Sequence, residues 1–157
     1  MNKVSLITFN QRNDNLGDVV LCELLFEKLR SNSRVIFLGK PPSSIRCQSF
    51  SHRFRYILIP ILFLRYRFNK IFYFSSPGGP VFSATEKRFN FRIFDKLLRP
   101  FLIKIFPFSS ITLIKSPGDR EYLKRELGLF DKLSLRDSKS LEMARDNFDA
   151  AAHCSLT

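Results

Sequence analysis

The sequence predicts an α/β fold, a mostly parallel sheet with helices on both faces. Two observations predict it. Short apolar runs that suit strands alternate with segments whose apolar residues recur at three- and four-residue spacing, the period of one helix face. Each of the first three runs also ends in a polar loop bearing Gly or Pro, at residues 13–18, 39–44 and 76–80, as a strand-to-helix connection requires.

Residues 4–9 open the series, with Val4, Leu6, Ile7 and Phe9 reading as a buried strand. The stretch Asn13-Asp14-Asn15-Leu16-Gly17-Asp18 follows, and the rest of the chain is organised around it. A helix is expected from Val19, because Val19, Val20, Leu21, Leu24, Leu25, Phe26 and Leu29 fall on one face. The join then reads as strand, tight polar loop, helix N-terminus. In open α/β sheets ligands bind at the carboxyl ends of the strands, where such loops lie. Gly17 lets the backbone turn sharply and a ligand approach, and the first helix amides favour an anion. A second reading stays open: Asn15 or Asp18 caps the helix and the loop is only a turn. The loop lacks both GxGxxG spacing and the Lys-Ser/Thr of a P-loop.

Residues 34–38 form a second strand, ended by the Pro-bearing loop 39–44. Residues 54–68 are the most apolar segment, too short for a bilayer span of about 20 apolar residues. A buried helix packed on the sheet, with Pro60 inside it, is the first reading. A membrane-facing helix flanked by Arg53, Arg55, Arg65 and Arg67 is the second. Residues 70–75 are a third strand. The loop Ser76-Pro77-Gly78-Gly79-Pro80 reads either as a nest of amides around an oxyanion or as a rigid turn. Residues 89–104 suggest a basic, Phe-rich helix interrupted near Pro100, and residues 111–114 a short strand. A helix opens at Ser116-Pro117-Gly118-Asp119 and stops at Gly128. Residues 133–135 are a last strand, and a helix over 141–148 follows, with Asp137 or Ser138 as its cap. Arg136 suits an anionic substrate group or pairing with Asp137 or Asp131. The domain is expected over residues 1–148, with 149–157 as a truncated tail.

Composition narrows the partners. The 157 residues carry 26 Lys and Arg against 14 Asp and Glu, a formal charge of +12. That balance favours phosphates, acidic glycans, anionic lipid or nucleic acid without choosing among them. Most of the 18 Phe are expected in the core. Cys22, Cys47 and Cys154 show neither metal-ligand spacing nor a disulfide framework, so a reducing, cytoplasmic setting is the simplest expectation, with no metal or cofactor. No secretory leader is expected, since the residues before the first strand carry no charged segment followed by an apolar core and a small-residue cleavage site. His52 and His153 read as incidental.

Three stretches together resemble the N-terminal half of the polysaccharide pyruvyl transferase family. Asn15-Leu16-Gly17-Asp18 is similar to that family's Asn-x-Gly-Asp after strand one. Pro77-Gly78-Gly79-Pro80 stands at the place of its glycine-rich loop, with only two glycines between prolines. Leu135-Arg136-Asp137-Ser138-Lys139-Ser140-Leu141 is similar to its Arg-Asp-x-x-Ser signature before a helix. The resemblance implies a Rossmann-like, GT-B-like half-domain. It implies transfer of a pyruvyl group from phosphoenolpyruvate to a sugar of a cell-surface polysaccharide as a ketal. Asn15, Gly17, Asp18, Gly78, Gly79, Arg136 and Asp137 would bind substrate. It further implies a glycan or lipid-linked sugar acceptor and peripheral contact at the inner face of the membrane. A second half or partner chain would carry the basic residues and His that hold and protonate phosphoenolpyruvate. No catalytic residue is assigned in this chain, which alone is expected to be catalytically incomplete.

Two other classes compete. One is a GT-B-type glycosyltransferase half-domain using a nucleotide sugar. The other is a basic module for nucleic acid or membrane, which needs clustered charge and exposed aromatics. The Phe residues fall largely in periodic apolar patterns, which favours core, and no specific nucleic acid is expected.

Overall fold

The computed structural model describes residues 3–10, 16–67, 69–75, 97–109, 117–128, 130–135, 137–147 and 154–156. The described strands are β1 (Val4–Asn10), β2 (Arg34–Lys40), β3 (Ser49–Phe50), β4 (Ile71–Phe74), β5 (Leu102–Ser109), β6 (Lys132–Leu135) and β7 (Cys154–Leu156). They form one seven-stranded sheet in the order β3-β2-β1-β4-β5-β6-β7. Every pairing is parallel. The described helices are α1 (Leu16–Arg30), α2 (Arg55–Arg65), α3 (Pro117–Leu127) and α4 (Ser138–Asn147). This is a Rossmann-like α/β fold.

Both faces of the central strands are covered, so those strands are apolar on both sides. On one face Val4, Leu6, Ile36, Leu38 and Ile71 pack under Ile59 and Leu62 of α2. On the other, Ile7, Phe9, Phe37 and Phe74 pack with Cys22 and Leu25 of α1. A third cluster joins Phe106, Leu133 and Leu135 to Leu127 of α3 and to Leu141 and Ala144 of α4. One polar link is buried with these residues: Ser5 and Ser33 share a hydrogen bond of 2.7 Å, and Ser33 Oγ reaches the Leu29 carbonyl at 3.0 Å.

The structure departs from the sequence reading in several places. Helix α1 begins at Leu16, three residues before the apolar pattern does, so Leu16, Gly17 and Asp18 form its first turn. Its inner face is Cys22 and Leu25, while Val20 and Leu24 are exposed. The strand β5 occupies residues that read as the end of a basic helix. Arg99–Phe101 is a 3-10 turn containing Pro100, and the branched Ile103 and Ile105 follow it in extended chain. Pro107 concealed this strand, because proline enters sheets mainly at edges and bulges. It lies where the β5–β6 register shifts between Phe106 and Ser109, and Phe108 beside it has a positive φ of 53°. Helix α4 starts at Ser138 rather than Leu141. Residues 154–156, read as part of a tail, pair with β6 as β7. The two-residue β3 gave no sequence signal. The expected strand at 111–114 and the first half of the expected helix at 89–104 lie outside the described residues.

Candidate functional site

A parallel sheet collects the carboxyl ends of all its strands on one edge. Here the order runs outward from β1 in one direction through β2 and β3, and in the other through β4 and β5. The chain direction of winding therefore reverses between β1 and β4. Such a switch point opens a crevice at the carboxyl edge, because the two flanking connections leave on opposite faces. The seam is tied by Thr8 of β1, whose hydroxyl donates to the Phe74 carbonyl of β4 at 3.1 Å.

Gly17 and Asp18 stand beside this seam, in the first turn of α1 that follows β1. Gly17 is exposed and Asp18 half-buried. Gly17 lies inside the helix, not in a sharp turn. Among the described residues the glycine at positive φ is Gly39, at 116°, near the end of β2. What Gly17 contributes is a bare first turn: with no Cβ, the amides at the helix start can be approached closely. Leu16, 77% exposed, projects beside it. Asn15 lies outside the described residues.

On the β4 side, Ser75 continues the strand. Its amide donates to the Ile105 carbonyl at 3.0 Å, and its hydroxyl lies 3.4 Å from the same oxygen. This holds the exit of β4 against β5; Gly78 and Gly79 lie outside the described residues.

At the end of β6, Asp137 is the cap of α4. One carboxylate oxygen accepts the Ser140 amide at 2.7 Å and the other accepts the Ser140 hydroxyl at 2.9 Å. The Asp137 carbonyl accepts the Leu141 amide at 3.2 Å. Ser140 is buried. The spacing Asp-x-x-Ser therefore braces the helix start, with Ser140 donating twice to the Asp137 carboxylate, and of the two caps left open by the sequence Asp137 is the one used. Its carboxylate is occupied with this task, which fixes the α4 N-terminus at the carboxyl edge. Arg136 lies outside the described residues.

Sequence reasoning passed over a cluster at the start of α2, which also lies at this edge. Arg55 Nη1 donates to His52 Nε2 at 2.8 Å; a guanidinium has no acceptor, so Nε2 is the unprotonated nitrogen. Arg55 also donates to the Tyr56 hydroxyl, and its guanidinium lies 4.6 Å from the centre of the Tyr56 ring. His52 is thus held by its neighbours, on the β3 side of the sheet and two strands from the seam. The i, i+3 spacing of His52 and Arg55 was the available signal.

Burial holds the Cys22 and Cys47 thiols in their protonated form. Burial, with help from Glu23 and Cys47, pushes Cys22 from an ordinary 9.0 up to about 12. Burial also raises Cys47. Neither is a thiolate at neutral pH. Among the described residues no group of three or more His, Cys, Asp or Glu side chains is placed to hold a metal ion. No helix among them is long and apolar enough to cross a membrane.

No protein-family profile, no curated protein and no solved structure matches this chain.

Proposed function

We propose that this chain forms one wall of a transferase cleft of the pyruvyl transferase type, with its ligand at the carboxyl edge of the sheet. The observation that carries the proposal is the switch point between β1 and β4, with the bare first turn of α1 beside it. It is supported by the order of the three motifs, each of which follows a strand of one parallel sheet.

In this reading the acceptor sugar lies along the edge between Asn15, Gly17 and Asp18 on one side and Gly78, Gly79, Arg136 and Asp137 on the other. The α1 N-terminus presents the positive end of its helix dipole to an anionic oxygen. Arg136 offers a planar fork to a carboxylate or phosphate. The reaction protonates the methylene carbon of phosphoenolpyruvate. Two sugar hydroxyls then attack the former enol carbon, lose their protons and displace inorganic phosphate, leaving a cyclic ketal. A general acid and cationic side chains on a facing half perform the donor chemistry.

The test is a binding and turnover pair. The full chain is offered phosphoenolpyruvate with surface-polysaccharide fragments, and separately nucleotide sugars. The proposal expects glycan fragments to bind, weakened by Asp18→Ala and by Gly17→Val, with no phosphate released by this chain alone. Binding of nucleotide sugars in place of glycan overturns the pyruvyl transferase reading. Ketal formation by this chain alone overturns the need for a facing half.

A further inference from the structure

Helix α2 is apolar on the side that faces away from the sheet. Ile59 and Leu62 are buried beneath it, whereas Phe54, Ile57, Ile61 and Leu64 are 55%, 63%, 53% and 61% exposed. The exposed four recur at spacings of three and four, so they form one continuous stripe opposite the buried face. A helix that is apolar all round is ordinarily covered on every side.

The charge around this stripe is one-sided. From residue 28 to residue 85 the chain has ten Lys and Arg and no Asp or Glu, which is most of the formal +12. Arg53 stands exposed at one end of the stripe, and Arg65, Arg67 and Lys70 at the other. Past the end of α2, Arg67 takes a left-handed φ of 55° and its amide bonds back to the Leu64 carbonyl at 3.2 Å. The chain thereby curls around an open basin of about 440 Å³ lined by Arg65, Tyr66, Arg67 and Asn69. Two guanidinium-bearing residues around one open polar basin suit a phosphate. Helix α1 makes an instructive contrast. It too exposes an apolar stripe, Leu16, Val20 and Leu24, but Asp18, Glu23 and Glu27 stand on the same helix.

We infer that the outer face of α2 docks on an anionic lipid surface, with Phe54, Ile57, Ile61 and Leu64 entering the headgroup–acyl boundary and the Arg65–Arg67 basin seating a lipid phosphate. Apolar burial and attraction to anionic headgroups act together in such docking, and neither suffices for lasting attachment alone. The N-terminal end of α2 lies at the carboxyl edge of the sheet, so a bilayer under α2 would leave that edge beside the membrane surface. The inference stands on α2 alone and does not depend on the reaction proposed for the edge.

The chain contains no Trp, so a single introduced Trp reports its own surroundings without background. Ile61→Trp is apolar and exposed, which spares the core. Its emission is expected to shift to the blue with mixed phosphatidylcholine–phosphatidylglycerol vesicles and to stay in place with phosphatidylcholine alone. Leu24→Trp on α1 is expected not to move with either. Adding Arg65→Gln or Arg67→Gln to Ile61→Trp should weaken vesicle affinity by about fivefold each. No shift at residue 61, or equal shifts at 24 and 61, overturns the inference. So does a shift at 61 that needs no vesicle and grows with protein concentration, which marks a second copy of the chain as the occupant.

Discussion

Thr8 and Phe74 join the two halves of the sheet where its winding reverses: the Thr8 hydroxyl reaches the Phe74 carbonyl at 3.1 Å. The bond belongs to no ladder, since the backbone registers Ile7, not Thr8, opposite Phe74. Replacing Thr8 with Val keeps the branched shape and removes the donor. A partly buried carbonyl then loses a partner, which costs about 1 kcal/mol. Urea unfolding of Thr8→Val should show that loss, and Thr8→Ser should recover part of it. A variant as stable as the parent would deny the hydroxyl its part in closing the seam.

Asp137 braces α4 through both carboxylate oxygens. Asp137→Ala should lower stability by about 1 kcal/mol, the usual worth of an N-cap. Asp137→Asn keeps an acceptor and should lose less, mainly the attraction between the carboxylate and the helix dipole. Thermal unfolding distinguishes the two. Equal losses would mean that charge, not hydrogen bonding, is what the cap supplies.

Gly39 pairs with Phe9 at a φ of 116°. A side chain there meets a steric barrier that glycine does not. Gly39→Ala is expected to destabilise the protein by more than about 1 kcal/mol, whereas the same change commonly stabilises a position with ordinary negative φ. A neutral or stabilising result in denaturant unfolding would contradict that backbone geometry.

Cys22 gives stability a pH dependence of known sign. Its folded pKa, about 12, is above the ordinary 9.0. Below pH 9 the thiol is protonated in both states and contributes no slope. As pH rises from 9 toward 12 the unfolded thiol ionises and the folded one does not, so stability falls. Cys22→Ala should lose about 1 kcal/mol at neutral pH through lost packing, and its stability should fall less steeply above pH 9 than the parent's. Native protein at pH 8 should also leave Cys22 unmodified by an alkylating reagent until denaturant is added.

The sequence made the centre of this fold easy to read and its flanks hard. Val4, Leu6, Ile7 and Phe9, or Ile36, Phe37 and Leu38, are covered on both faces, so an unbroken apolar run meant a central strand. Strand β5 was concealed because Lys104 and Pro107 interrupt its run, although both are buried in it. The sequence puts the start of α1 late because Leu16, Gly17 and Asp18 read as the end of a polar loop, and it puts Val20 and Leu24 on the inner face although both are exposed. At the candidate site, Gly17, Asp18 and Asp137 were visible as residue types after strands. The sequence also offered Asp137 or Ser138 as the cap of α4, and the hydrogen bonds from Ser140 decide for Asp137. Thr8 carried no signal, because its partner is a backbone carbonyl 66 residues away.

The proposed cleft places ligand at the carboxyl edge, over the β1–β4 seam. Amide chemical-shift mapping of the full chain, titrated with surface-polysaccharide fragments in the presence of phosphoenolpyruvate, tests it most directly. The largest shifts are expected on Gly17, Asp18 and Ser75, while Ser33, Arg34 and Lys70 at the opposite edge stay in place. Shifts concentrated at that opposite edge, with Gly17 and Ser75 unmoved, would contradict it.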